Sequence, residues 1–104
     1  MPTISADALT AHVSQVFQVY NVPNQTAEVV ATSLVLSNLK GHDSHGIIRV
    51  VEYIDWLEKG LVDANATLEV IEEKNTILIT DGHFGFGQLI GREATEKAIY
   101  KCQQ

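Results

Sequence analysis

Gly41-His42-Asp43-Ser44-His45-Gly46-Ile47-Ile48-Arg49, continuing through Tyr53 to Trp56-Leu57 and Gly60, divides the 104-residue chain into its two halves. Gly41 is placed to stop a helix arriving from the amino-terminal side, because the residue just past a helix end often takes a left-handed conformation that glycine tolerates. Downstream, Ile47, Ile48, Val51, Ile54 and Leu57 recur at helical spacing. They predict a third helix with these residues on its buried face, closed by Gly60. With Ser44 as its N-cap, His45 falls in the first turn, Arg49 lies four residues on and Tyr53 four beyond that. A hydroxyl, an imidazole, a guanidinium and a phenol would then line one face opposite the apolar stripe.

Such a face suits a small organic anion. Arginine binds a carboxylate through two parallel hydrogen bonds, and a helix N-terminus adds positive potential, so Arg49 is the candidate for holding a 2-oxo or 2-hydroxy acid. Histidine is the side chain that ordinarily exchanges protons near neutral pH, which makes His45 the candidate acid or base at the substrate oxygen, with Ser44 as a hydroxyl relay. Tyr53 could add a hydrogen bond or wall the pocket. Purely structural roles fit the same spacing: Ser44 as an ordinary cap, Arg49 paired with Glu52 or Asp55, and Tyr53 in the core.

Working outward, Leu9, Val13, Val16, Phe17 and Tyr20 follow Ser5 at helical spacing and predict a first helix over 6–20, ended by Val22-Pro23-Asn24. A second helix carries Ala27, Val30, Ala31, Leu34 and Val35 on one face up to Gly41, and the two pack as a helical hairpin. Beyond Gly60, Leu68–Ile71 and Thr76–Thr80 are rich in β-branched residues, and the intervening Glu72-Glu73-Lys74-Asn75 turn makes them a small β-hairpin. After Asp81-Gly82 and Gly85-Phe86-Gly87, a final helix carries Leu89, Ile90, Ala94 and Ala98 on one side. The fold class expected is mixed α/β.

Composition excludes several functions. Hydrophobic residues make up 45% and charged residues 19%, which is ordinary for a folded domain. The net charge is −6 and the 7 Lys and Arg are scattered, so there is no basic footprint for nucleic acid or an anionic membrane. No apolar run is long enough to span a bilayer. A single cysteine, Cys102, and the lack of a signal-peptide pattern make the cytoplasm the expected compartment.

Other motifs carry less. His42 and His45 form an H-x-x-H pair, but no third His, Cys or suitably spaced Glu completes a zinc set, and no metal is expected. His12 and His83 are expected at the surface or in loops. Gly85-x-Gly87-x-x-x-Gly91 follows a predicted strand, yet its spacing misses the G-x-G-x-x-G dinucleotide fingerprint by one. A tight turn and close helix packing explain these glycines better. Cys102 has no neighbouring base to activate it.

The Gly41–Arg49 stretch with Tyr53 and the Trp56-Leu57 to Gly60 end resembles the amino-terminal signature of the malate/L-lactate dehydrogenase family. Asp81-Gly82-x-x-Gly85-x-Gly87-Gln88 is similar to the same family's following strand-to-helix turn, so the resemblance covers nearly the whole chain. It implies a non-Rossmann oxidoreductase that moves hydride between NAD or NADP and a 2-hydroxy/2-oxo acid such as malate or lactate, commonly as a homodimer. It also implies Ser44 in a proton relay, His45 as proton donor or acceptor and Arg49 on the substrate carboxylate, with Tyr53 transferring less directly. Residues 1–104 are then expected to be the amino-terminal segment of a truncated parent, with the nicotinamide-binding regions beyond Gln104. Such a segment is expected to be inactive alone, because the protein's part in such chemistry is to position cofactor and substrate together. The alternative is a noncatalytic dimerisation or interaction fragment.

Overall fold

Ser5 begins the first helix as expected: its hydroxyl accepts from the Ala8 amide at 3.2 Å, and α1 runs over Ala6–Val19. The computed structural model describes residues 3–104. A tight link through Asn21 and Pro23 reverses the chain into α2, Asn24–Leu39. The predicted stripe of α2 is the heart of the core. Ala27, Val30 and Ala31 are fully buried, with Leu34 and Val35 nearly so, and all but Val35 form one cluster with Val13 and Phe17 of α1. Burying a Val, Leu or Phe side chain is worth roughly 1.5 to 3 kcal/mol, so this hairpin supplies most of the chain's internal cohesion. The outer members of the α1 stripe, Val16 and Tyr20, stay partly exposed.

Gly41 ends α2 as its position suggests. At φ +81° it lets the His42 amide reach back to the Ser37 carbonyl at 2.8 Å and its own amide reach the Asn38 carbonyl at 3.0 Å. This satisfies carbonyls that a helix end leaves without partners.

The continuous third helix is not formed. Asp43–His45 and Ile47–Arg49 are two single 3-10 turns separated by Gly46, and only Val50–Glu58 is an α-helix, α3. Gly46 is extended and buried against the Asn38 side chain, where a Cβ would overlap the carboxamide. That break rotates the apolar face. Ile48 and Val51, expected inside, are 71% and 78% exposed, while Ile47, Val50, Tyr53, Ile54 and Leu57 pack against the core. Gly60, at φ +72°, closes α3 as expected.

The β-hairpin forms with shifted bounds. Strands β1, Glu69–Glu73, and β2, Leu78–Asp81, pair antiparallel with an irregularity at Ile71. Lys74 and Ile77 exchange backbone hydrogen bonds at 2.8 and 3.4 Å, leaving Asn75-Thr76 as a two-residue loop. Glu72 and Glu73 therefore belong to the strand, not to the turn.

Helix α4 spans Gly87–Cys102. Leu89, Ile90 and Ala94 are partly covered, but Ala98 is exposed, and the end of the helix meets the hairpin through Lys101, whose Nζ lies 3.1 Å from Glu73 Oε1. The close packing predicted for glycines falls on Gly82 and Gly85, not on Gly87 or Gly91. A Cβ on Gly82 would lie 2.5 Å from Ile90 Cγ2, and one on Gly85 would lie 2.9 Å from Ile90 Cγ1, whereas Gly87 and Gly91 face open space. The turn delivers Phe86 into the core, where its ring meets Phe17 edge-on at 5.9 Å and Tyr53 at 5.9 Å. Among the described residues no helix is long and apolar enough to cross a membrane.

Candidate functional site

The exposed turn between α2 and α3 carries the polar cluster. Ser44 Oγ lies 3.0 Å from His45 Nδ1, which ties one ring nitrogen to the neighbouring hydroxyl. Among the described residues Nε2 has no hydrogen-bond partner. Arg49 Nε donates to the Ser44 carbonyl at 2.7 Å, so the guanidinium is fastened to the same turn although it belongs to the next one. Ser44, His45 and Arg49 are thus joined into one chain of contacts without sharing a helix face. An open recess lined by Ser37, Gly41, His42, Asp43, Ser44 and His45 lies beside it.

Ser44 does not cap a helix, because it is the middle residue of the Asp43–His45 turn, which His42 precedes. Its hydroxyl is instead available to the imidazole. Arg49 also pairs with Glu52, Nη1 to Oε2 at 2.7 Å, as its structural reading allowed. Guanidinium donates in its plane, along the edges of its fork. Nη2 has no hydrogen-bond partner among the described residues.

Tyr53 stands apart from this chain of contacts. It is half-buried, stacked on Trp56 at 5.3 Å, and its hydroxyl accepts from Gln88 Nε2 at 3.0 Å. That bond joins the two sequence motifs, since Gln88 ends the glycine turn and Tyr53 lies within the first signature. Sequence spacing could place each motif but not their meeting.

Asn38 joins the site only through the fold. Its Oδ1 accepts from the Ile47 amide at 2.8 Å and its Nδ2 donates to Asp43 Oδ1 at 2.9 Å, spanning the turn that carries Ser44 and His45. The available signal was a polar residue in the last turn of α2, three positions before the helix-stopping Gly41.

Among the described residues no three His, Cys, Asp or Glu side chains converge as a metal site. His12 and His83 are exposed, as is Cys102. His83 sits in the β2–α4 turn at φ +51° and faces Glu69 and Asp81 at 3.5 and 3.7 Å.

Residues 4–104 match the profile of the malate/L-lactate dehydrogenase family. The chain belongs to that family. Malate dehydrogenase of Pyrococcus abyssi is 32% identical over 101 residues, which cover 97% of this chain and 28% of the relative. L-sulfolactate dehydrogenase of Methanocaldococcus jannaschii is 34% identical over 88 residues, covering 85% of this chain and 26% of the relative. The solved malate dehydrogenase of Pyrococcus horikoshii superposes with a TM-score of 0.93 at 31% identity, over 98% of this chain and 29% of that one. This malate/L-lactate dehydrogenase family member therefore spans a little over a quarter of the length of its relatives, and its mixed α/β architecture is theirs. The family is one of oxidoreductases acting on hydroxy acids.

Malate/L-lactate dehydrogenases typically use a nicotinamide cofactor, and the glycine turn at residues 82–91 does not fit its pyrophosphate. Gly82 and Gly85 spend their missing side chains on Ile90, and Gly87 and Gly91 face open space with no opposing wall. None of these glycines forms a cradle into which a pyrophosphate could settle against backbone amides.

Proposed function

We propose that this chain is the substrate-handling segment of an oxidoreductase that moves hydride between NAD or NADP and a 2-hydroxy/2-oxo acid. Its residues hold the acid's carboxylate and exchange the proton on its oxygen. The observation that carries this reading is the chain of contacts from His45 through Ser44 to Arg49. A proton-exchanging group and a carboxylate-binding group are fastened to a single turn, the coupling that a 2-hydroxy acid requires. Names such as malate dehydrogenase and L-sulfolactate dehydrogenase among the relatives support the substrate class.

The division of labour follows from the geometry. Ser44 Oγ engages His45 Nδ1, which leaves Nε2 as the atom that gives a proton to the substrate oxygen in reduction and takes one in oxidation. Arg49, held by the Ser44 carbonyl and Glu52, offers Nη2 and the edge beside it to the carboxylate, which exchanges places with Glu52. Tyr53, whose hydroxyl accepts from Gln88, ties α3 to α4 and takes no part in these contacts. The cofactor is held by other parts of the whole protein, so residues 1–104 alone catalyse no turnover.

Arg49→Ala in the full-length enzyme tests the carboxylate role. Losing a charge-assisted hydrogen bond costs roughly 1.5 to 3 kcal/mol, so KM for the acid should rise about tenfold or more. Unchanged steady-state kinetics would remove Arg49 from the site.

A further inference from the structure

We propose that Asn38 is a positioning residue for the Ser44–His45 proton relay, a role that rests on the proton-exchange function assigned to that turn. Its carboxamide clamps both ends of the Asp43–Ile47 segment to α2. At one end Nδ2 donates to the Asp43 carboxylate at 2.9 Å, and at the other Oδ1 accepts from the Ile47 amide at 2.8 Å. The chemistry of the partners sets the orientation of the amide. Flipped, it would point NH2 at a backbone N–H and its carbonyl oxygen at a carboxylate, so both contacts would turn repulsive.

What Asn38 is attached to gives the clamp its stiffness. Leu34 and Val35, on the preceding turn of α2, are 1% and 4% exposed, so the helix that carries Asn38 is fixed by the core. The segment it holds has little support of its own. Residues 43–45 are exposed, and the backbone bonds within the segment are two short-range contacts, His45 to His42 at 2.9 Å and Gly46 to Asp43 at 3.1 Å. Gly46 lies directly against the carboxamide, and a Cβ there would overlap it. The absence of a side chain at Gly46 and the presence of the amide at Asn38 are two halves of one device, which aims His45 from a rigid helix. Asn38 acts through the turn and touches no substrate.

The test is kinetic and built on a donor–acceptor swap in the full-length enzyme. Asn38→Ala leaves the Ile47 amide and the Asp43 carboxylate without their partner, and a misplacement of about 1 Å in a reacting group costs on the order of 100-fold in rate. kcat should therefore fall by one to two orders of magnitude. Asn38→Asp keeps the acceptor for Ile47 but sets two carboxylates against each other, and should be as impaired as Asn38→Ala. Adding Asp43→Asn restores a complementary pair with the roles exchanged, so the double variant should recover most of the lost kcat, which separates positioning from general damage to the fold. Wild-type kcat in Asn38→Ala, or no recovery in the double variant, overturns the proposal. His45→Gln serves as the reference: wild-type turnover there overturns the relay reading and this proposal with it. Impaired His45→Gln beside unimpaired Asn38→Ala overturns this proposal alone.

Discussion

Phe17 and Phe84 are the same side chain in opposite circumstances, and they stand for the two halves of the molecule. Phe17 lies in the α1–α2 hairpin, fully buried, its ring meeting those of Tyr53 and Phe86. Phe84 lies in the turn between β2 and α4, 83% exposed and held at φ +63°. The first half buries its apolar stripe against itself. The second buries little: β1 is exposed along its whole length, and Ile71, Ile77, Ile79, Ile99 and Tyr100 all face outward. The molecule is drawn out to 53 Å in one direction against 22 Å in another, and these apolar side chains of the hairpin and of the end of α4 are left exposed. The polar turn with Ser44, His45 and Arg49 lies between the two regimes, braced from the buried side by Asn38 and open on the other.

That contrast can be broken most directly at the core. Phe17→Ala should destabilise the chain by about 3 to 5 kcal/mol, the usual cost of removing a buried aromatic ring, measured by denaturant unfolding. A loss under about 1 kcal/mol would mean that the hairpin core is not what holds the fold together. Gly82→Ala probes the seam between the halves. Its new Cβ meets Ile90 Cγ2 at 2.5 Å, and overpacking of this kind costs roughly 1 to 3 kcal/mol, so α4 should loosen first, visible as faster amide exchange in its first two turns. Uniform exchange rates across α4 would argue against a tight seam. Phe84→Ala should change unfolding free energy by no more than about 0.5 kcal/mol, as surface substitutions usually do. A large destabilisation would show that Phe84 is covered in solution.

How much of this was legible in the sequence follows the same divide. Ala27, Val30, Ala31, Leu34 and Val35 announced the core helix because one stripe is buried by one neighbour, the condition under which helical periodicity reports burial directly. The third helix was misjudged for a related reason. Ile47, Ile48 and Val51 fit a helical period, but Gly46 is extended against Asn38, and the rotation it introduces exchanges Val51 for Val50 on the inner face. No local pattern encodes a contact eight residues away. The candidate residues Ser44, His45 and Arg49 were found by residue type, while the contacts that link them run through a backbone carbonyl that spacing could not reveal. Tyr53 needed the structure most, since its partner Gln88 lies 35 positions along the chain. The glycine turn was understood in kind but not in place, because which glycine meets a neighbour depends on where Ile90 packs.

The most direct test of the central claim is kcat of His45→Gln in the full-length enzyme, with binding of the acid followed separately. Gln keeps a polar side chain of similar reach but cannot exchange a proton, and general acid–base catalysis contributes about 10²- to 10⁴-fold. A loss of that size in kcat, with acid binding retained, is the expected result. A kcat equal to wild type would contradict it.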